Sequence, residues 1–233
     1  MTVKVFGERN CGTNLAARIL QNADGVSVLP AGAPPTVRRI ALKTRPAREV
    51  VLDAWDEIRR PATLGWKHAY IDDVTVSRIR RRGIVTLALT KHPLAWLASL
   101  RNNPYHFAVR GNLVHRKLRR ERLPSRPERL VDVWRMKTER YLELQDAGVL
   151  LVLRFEDLVA DPAETLRRAL GELGHEVAGL EVPERSVKPD ARSTADIQAY
   201  YAEERWRADL DPRDLDDGRA LPPALLERLG YRI

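Results

Sequence analysis

Residues 7–14 of the chain read GERNCGTN, within the opening segment 1–20, MTVKVFGERNCGTNLAARIL. The alternating run Val3–Phe6 predicts a short strand before the two glycines, and Asn14–Asn22 has the apolar spacing of a helix after them. Strand, G-x-x-x-x-G and helix together can cradle an anion, because loop N–H groups converge and the helix N-terminus carries partial positive charge. The same turn could also cap a helix without binding a ligand.

The two positions after Gly12 indicate which anion such a loop would bind. Enzymes that act on nucleoside triphosphates place a lysine and a hydroxyl there, for the phosphates and for Mg²⁺. In this chain those positions hold Thr13 and Asn14. The loop therefore gives little support to metal-assisted nucleotide chemistry, although Arg9 supplies a cation and Thr13 a hydroxyl donor.

Length and composition predict one domain spanning residues 1–233. The chain is 44% hydrophobic, enough for a substantial core, and no window of 18 residues is uninterruptedly apolar. Its single cysteine, Cys11, cannot form a disulfide within the chain, and no signal-peptide pattern opens the sequence, so we expect a cytoplasmic protein without a membrane span. The five histidines do not cluster at ligand spacing, so we expect no Cys/His metal site.

Positive charge is concentrated in the middle of the chain. Residues 78–140 hold 17 Lys and Arg against 4 Asp and Glu, whereas residues 141–233 hold 12 against 20. A basic region attracts nucleic acid, anionic lipid or anionic small molecules, and charge alone does not choose among them. An arginine-rich solvated surface explains these side chains equally well. Within this region, residues 101–129 form an irregular basic insertion that could serve as a lid or acceptor wall.

Strands and helices alternate along the rest of the chain and predict an α/β fold. Gly83–Thr90 and Val149–Arg154 are apolar runs typical of buried parallel strands. Val37–Thr44 could be a strand or a loop. Helices are predicted over the following segments: Ala47–Arg59, Val74–Arg82, from Pro93 onward, Pro127–Asp146, Pro162–Leu173, Thr194–Arg207 and Pro223–Leu229. This alternation predicts a central, mostly parallel sheet with helices on both faces, a three-layer sandwich.

Two more motifs follow strands directly, and ligands of such sheets bind at the carboxyl ends of the strands. The first is Thr90-Lys91-His92-Pro93, with Ser99 eight residues after Lys91; the second is LRFEDL at 153–158. Together with RNCGTN at 9–14, these motifs resemble those of the sulfotransferase family that uses 3′-phosphoadenosine 5′-phosphosulfate (PAPS). The resemblance spans residues 3 to about 174, and the GERN loop with Leu-Gly-Tyr at 229–231 is most similar to a bacterial branch.

The resemblance implies a P-loop-NTPase-like fold, sulfuryl transfer, PAPS as donor and 3′-phosphoadenosine 5′-phosphate (PAP) as product. RNCGTN is similar to the family's 5′-phosphosulfate loop, PKSGTT, and Lys91 with Ser99 is similar to its 3′-phosphate motif. The residues implied to bind the donor are Arg9, Asn10, Cys11, Gly12, Thr13, Asn14, Lys91, Ser99, Arg101, Phe155, Lys188 and Arg192. The family's loop lysine is replaced by Asn10 here, so Arg9 is the candidate for its catalytic role. No metal is required, because cations and N–H donors can stabilise the phosphate leaving group.

His68 is the candidate base that removes the acceptor's proton, with Lys67 stabilising the transferring sulfonate. The family carries Lys-x-His about twenty residues before its 3′-phosphate motif, and His68 stands 23 positions before Lys91. A half-buried structural histidine is the alternative. The remaining candidates have lesser roles: binding or capping for His92, acceptor contact for His106 and His115, and capping with orientation of Arg154 for Glu156 and Asp157.

The expected acceptor is a hydroxyl or amine of a carbohydrate or small metabolite, and the basic insertion would suit an anionic one. Membrane and nucleic-acid partners are not expected, and the sequence names neither the acceptor nor the oligomeric state. Two other functions stay open. One is a non-catalytic P-loop protein that binds anions or nucleic acid, and the other is a nucleotide kinase.

Overall fold

The structure is a computed structural model that describes residues 1–43, 48–102, 108–109, 112–113, 121–184 and 193–233. Its strands are Thr2–Gly7 (β1), Ser27–Val28 (β2), Val85–Thr90 (β3), Ala108–Val109 (β4), Asn112–Leu113 (β5) and Leu151–Arg154 (β6). Its α-helices are Thr13–Asn22 (α1), Pro35–Lys43 (α2), Arg48–Thr63 (α3), Asp73–Arg82 (α4), Pro93–Asn102 (α5), Leu130–Asp146 (α6), Phe155–Ala160 (α7), Pro162–Glu172 (α8), Thr194–Ala202 (α9), Pro212–Arg219 (α10) and Pro223–Arg228 (α11). A 3-10 helix covers Arg205–Asp209.

The central sheet is parallel throughout the described residues, in the order β2-β1-β3-β6. Gly7 pairs with Leu89 and Thr90 pairs with Arg154, so the carboxyl ends of β1, β3 and β6 meet at one edge. This register confirms the predicted parallel sheet and places the segments after these three strands side by side. β4 and β5 form a separate antiparallel pair within the basic insertion.

Helices cover both faces of the sheet, which confirms the predicted three-layer α/β fold. Alternate residues of β1 and β3 pack on one face with α1, α5 and α8; these strand residues are Val3, Val5, Leu87 and Leu89. On the other face, Phe6 and Ala88 pack with α4. The long helix α6 reaches both cores, since it supplies Trp134 to the first and Tyr141 to the second.

The segment Val37–Thr44, which the sequence leaves between strand and loop, is helical as far as Lys43. Pro35 opens this helix, α2, at a position where the missing proline N–H is tolerated. Val37 and Ala41 lie one turn apart and pack with Leu52 of α3, so tertiary contact selects the helix.

Two predicted helices have other bounds in the structure. Pro127–Asp146 becomes helical only at Leu130, after Arg129 in an extended N-cap conformation. Thr194–Arg207 divides after Ala202, because Glu204 adopts a left-handed φ of 49° and the 3-10 helix follows it. The short helices α7 and α10 are additional to those predicted. In the part of the chain that the structure describes, no helix is both long enough and apolar enough to cross a membrane.

Candidate active site

The loop between β1 and α1 lies directly against its neighbours, and its two glycines make this possible. A Cβ at Gly7 would lie 2.7 Å from the carbonyl oxygen of Leu89. A Cβ at Gly12, where φ is 77°, would lie 2.9 Å from Cδ2 of Phe155. The spacing G-x-x-x-x-G thus holds the loop between β3 and α7 for steric reasons.

The N-terminus of α1 leaves backbone donors available beside this loop. No described residue accepts a hydrogen bond from the N–H groups of Gly12, Thr13 or Asn14. Such donors at a helix N-terminus, together with the helix dipole, favour a bound anion. Asn10, with a φ of 62°, donates its side-chain amide to the carbonyl of Ser99 at 3.3 Å and so ties the loop to α5.

We expect Gly12→Ala to lower the free energy of unfolding by about 2–5 kcal/mol, because the new methyl adds a clash to a strained left-handed backbone. Gly25→Ala is the matched control: Gly25 also has a left-handed φ, of 68°, but a Cβ there meets nothing within 4 Å. The control should lose only the backbone contribution, about 1–2 kcal/mol. Urea denaturation measures both, and equal losses would show that the loop does not press against Phe155.

The turn after α3 brings Lys67 to the first turn of α1. The N–H of Gly7 donates to the carbonyl of Lys67 at 3.0 Å, and the Lys67 ammonium donates to Oδ1 of Asn14. Burial, followed by the positive charges of Arg38 and Arg9, lowers the pKa of Lys67 from 10.5 to about 8. A cation therefore stands beside the available N–H groups of the loop.

His68 is held with its proton on Nδ1. This nitrogen donates to the carbonyl oxygen of Gly7 at 2.6 Å, and a carbonyl can only accept. The Trp66 ring packs edge-on against the imidazole, with centroids 5.0 Å apart. Burial lowers the pKa of His68 well below 6.5, and the charges of Lys67 and Arg9 lower it further. The imidazole is therefore neutral at pH 7 with its Nε2 lone pair in place, as a general base requires.

Arg9 and Cys11 stand where the loop departs from the family that it resembles. The Arg9 guanidinium pairs with Glu121 at 3.2 Å and lies 4.6 Å from the centroid of the Trp66 ring. Burial raises the pKa of the Cys11 thiol well above its ordinary value, and the Cys11 N–H donates to the carbonyl of Glu8 at 3.3 Å. Cys11 therefore offers a ligand neither a thiolate nor an available N–H, and the role of Arg9 stays a prediction.

A second cation, Lys91, lies just after β3 with no exposed surface. Its ammonium donates to the hydroxyls of Ser99 and Tyr201, both at 2.6 Å. The same nitrogen lies 4.5 Å from the ring centroid of Phe155 and 4.3 Å from that of Tyr201. No carboxylate among the described residues pairs with it. A buried charge with only neutral partners is costly, and an anion bound beside it would offset that cost.

Phe155 lies between the glycine loop and the Lys91 ammonium. It stands at the start of α7, with the Lys91 ammonium over its ring and the glycine loop pressed against its edge at Gly12. Each of the three predicted motifs therefore supplies a group to one contiguous region at the carboxyl edge of the sheet.

Glu156 supports this region from behind. Its carboxylate accepts from the N–H of His92 and from the hydroxyl of Tyr231, both at 2.9 Å. It thereby holds the turn after β3 against the C-terminal residues. Of the two carboxylates predicted to orient Arg154, Asp157 is the one that pairs with it in the described residues, with Oδ2 3.9 Å from the Arg154 Nε.

Arg101, which the sequence predicts to bind the sulfuryl donor, pairs with carboxylates of the tail. It stands two residues after Ser99, about 200° further around α5. Its guanidinium pairs with Asp214 and, at 3.5 Å, with Asp211, at the start of α10. These carboxylates engage the Arg101 guanidinium, and its role in binding the sulfuryl donor stays a prediction. Four other candidates, Lys188, Arg192, His106 and His115, lie outside the described residues.

Tyr201 is a site residue that the sequence does not reveal. It lies 110 positions after Lys91, in α9, and no motif of the tail surrounds it. Only the return of the tail to the carboxyl edge of the sheet brings its hydroxyl to the ammonium. Across the described ranges, no group of three or more His, Cys, Asp or Glu side chains is arranged to hold a metal ion.

Solved structures with a similar fold are sulfotransferase domains. One is the sulfotransferase domain of the Synechococcus PCC 7002 olefin synthase, 14% identical with a TM-score of 0.50, over 100% of this chain and 96% of that one. Another is the sulfotransferase domain from the curacin biosynthetic pathway, 11% identical with a TM-score of 0.52, over 100% and 98%. No protein-family model and no curated protein matches the chain. At this identity the likeness establishes the fold: the chain has the fold of sulfotransferase domains.

Proposed function

We propose that the chain transfers a sulfuryl group from PAPS to a hydroxyl or amine acceptor, a carbohydrate or small metabolite. The observation that carries the proposal is the buried Lys91 ammonium, which has only hydroxyl and aromatic partners among the described residues and lies next to the glycine loop. Two neighbouring anion sites suit a donor with both a 3′-phosphate and a 5′-phosphosulfate. ATP has no 3′-phosphate and would leave the second site unused.

The residues at the carboxyl edge fit such a donor at both ends. The N–H groups of Gly12 to Asn14, with the Lys67 ammonium, would hold the phosphosulfate. Lys91, Ser99 and Tyr201 would hold the 3′-phosphate by charge-assisted hydrogen bonds. When bound, PAPS supplies the activated sulfuryl group, and these cations stabilise the negative charge that develops on the leaving phosphate.

His68 acts as the general base in this proposal. Its hydrogen bond to the carbonyl of Gly7 fixes the proton on Nδ1 and orients the ring. Nε2 can then take the proton that the acceptor's hydroxyl or amine loses. The low pKa of His68 keeps this nitrogen unprotonated at neutral pH.

We also propose that residues 1–233 form one catalytic domain that works in the cytoplasm. The cores on the two faces of the sheet share α6, which supports a single folding unit. The single cysteine, Cys11, is a buried free thiol, as suits a reducing compartment.

We expect Tyr201→Phe to weaken PAP binding about 3- to 10-fold, because one hydroxyl partner of the buried ammonium is lost while the ring remains. Tyr200→Phe is the matched control, since its hydroxyl donates to Asp209 at 2.8 Å on the exposed side of the tail. Calorimetric titration with PAP measures both affinities. Equal affinities for the two variants would remove Tyr201 from the 3′-phosphate site.

Sulfuryl transfer itself is tested with ³⁵S-labelled PAPS and a panel of carbohydrates, phenols, small alcohols and amines. We expect label to appear in one acceptor class without added metal. A protein that shows no thermal shift with PAP, but a shift with RNA or with Mg²⁺-ATP, would contradict the proposal. The first shift would support a nucleic-acid-binding protein and the second a nucleotide kinase.

A further inference from the structure

Lys137 lies in the middle of α6 with no exposed surface, and its ammonium contacts three acceptors. Two are the carboxylates of Glu8 and Glu121, which are buried as completely as the lysine. The third is the backbone carbonyl of His68, at 2.5 Å. The ammonium donates hydrogen bonds to Glu121 and to the carbonyl of His68, and it pairs with Glu8 by charge.

The three acceptors belong to three separate parts of the candidate active site. Glu8 directly follows Gly7 in the glycine loop, and His68 is the proposed base. Glu121 uses its other carboxylate oxygen to pair with Arg9 at 3.2 Å. The backbone carbonyl of Glu121 accepts a hydrogen bond from the N–H of Tyr70 at 2.7 Å. The Lys137 ammonium thus connects the glycine loop, the backbone of His68 and Glu121, the residue that pairs with Arg9.

From this arrangement we infer that Lys137 is a positioning residue, which holds His68 in register with the glycine loop for proton removal and transfer. The inference rests on the proposed function. Lys137 touches neither donor nor acceptor, and it acts through the backbone of His68 and the carboxylates of Glu8 and Glu121.

Stability alone is a poor reason for such a cluster. Buried ion pairs are often replaced by apolar side chains without loss of stability, because desolvation cancels much of the attraction. Here burial raises the pKa of Glu8 to about 7 in spite of the adjacent lysine, so the cluster is held in a costly arrangement. A requirement for fixed geometry at His68 and the loop accounts for that cost.

Lys137 also belongs to the charges that set the protonation of His68. Lys67, Arg9 and Lys137 all place positive charge near the imidazole, and each lowers its pKa. Glu8 and Glu121 pair with Lys137. Removal of the Lys137 charge therefore raises the pKa of His68 and moves the acid limb of the activity profile to higher pH.

The test is Lys137→Met, which keeps an unbranched side chain of similar length in the core. We expect kcat to fall about 10²-fold, as for a misplaced catalytic group. The dissociation constant of PAP should stay near the wild-type value, because Lys91 and its hydroxyl partners are not touched. The acid limb of kcat/KM should move to higher pH, a change that a purely structural role would not produce.

Tyr141→Phe is the matched control. Tyr141 is a buried residue one turn further along α6, and its hydroxyl has no hydrogen-bond partner in the described part of the chain. This variant should leave kcat, PAP affinity and the pH profile unchanged. Loss of kcat in Tyr141→Phe equal to that in Lys137→Met would overturn the inference, since any change in α6 would then suffice.

If Lys137→Met does not fold, Glu121→Gln decides the question, because it keeps the shape of the cluster and removes one charge. We expect kcat to fall while PAP affinity is kept; unchanged kcat, or kcat and PAP affinity falling together, would overturn the inference. For Lys137→Met, an unchanged kcat or an unmoved acid limb would also overturn the inference.

Wild-type protein that neither binds PAP nor transfers labelled sulfate would instead contradict the proposed function, so this measurement is made first.

Discussion

We expect His68→Asn to lower kcat about 10²- to 10⁴-fold and to leave PAP affinity near the wild-type value. Asparagine keeps a side-chain N–H that can donate to the carbonyl of Gly7, as Nδ1 of His68 does at 2.6 Å, but it has no basic nitrogen. The variant therefore removes proton acceptance and leaves the loop in place. Single-turnover transfer of labelled sulfate, together with PAP titration, separates the two effects. Full activity in His68→Asn would remove His68 from the role of base.

The pH profile gives an independent test of the same assignment. Only the neutral imidazole accepts a proton, and the pKa of His68 lies well below 6.5 because of burial and nearby cations. We therefore expect kcat/KM to stay constant as the pH falls from 7 to below 6.5, and to decrease only when His68 becomes protonated. Above about pH 8, Lys67 loses its charge and the rate falls again. His68→Asn should lack the acid limb; its persistence would assign that limb to another group.

We expect Lys91→Met to weaken PAP binding by about 2–5 kcal/mol, or about 30-fold at the lower end, and to leave the affinity for adenosine 5′-phosphosulfate close to the wild-type value. The methionine side chain can still pack between Phe155 and Tyr201, so the change removes the charge and little of the packing. This selectivity is expected because, of the two nucleotides, only PAP has the 3′-phosphate that would pair with this ammonium.

Two further measurements test whether Lys91 acts through its charge: the nucleotide affinities of Ser99→Ala and the melting temperature of Lys91→Met. Ser99→Ala should show the same selectivity to a smaller extent, since it removes a hydroxyl partner of the ammonium at 2.6 Å rather than the charge. The melting temperature of Lys91→Met should not fall, because a buried charge without a carboxylate partner among the described residues does not stabilise the unliganded protein. Equal weakening of PAP and adenosine 5′-phosphosulfate would contradict a 3′-phosphate site at Lys91.

The parts of the site that the sequence predicts are those encoded by local pattern. The glycine loop, Lys91 with Ser99, and the segment from Phe155 each follow a strand directly. Because parallel strands end at one edge, their order along the chain suffices to bring them together. Arg101 follows Ser99 by two residues, about 200° further around α5, and pairs with Asp214. Closeness in sequence alone therefore does not fix which partner a side chain meets.

The remaining contacts depend on tertiary packing. Tyr201 reaches Lys91 only because the tail folds back over the carboxyl edge of the sheet, and no local pattern encodes that path. The sequence does contain a sign that Lys137 is buried. It stands three residues after Trp134 and four before Tyr141, on the buried face of α6. A lysine at such a position is committed to buried partners, but their identity, Glu8 and Glu121, follows only from the fold.

The most direct test of the central claim is a calorimetric comparison of PAP with ADP on the wild-type protein, without magnesium. The two nucleotides share the adenosine and a 5′-phosphate end, and PAP alone has the 3′-phosphate that Lys91, Ser99 and Tyr201 would hold. The account predicts that PAP binds at least about 30-fold more tightly than ADP. PAP that binds no more tightly than ADP, or does not bind at all, would contradict it.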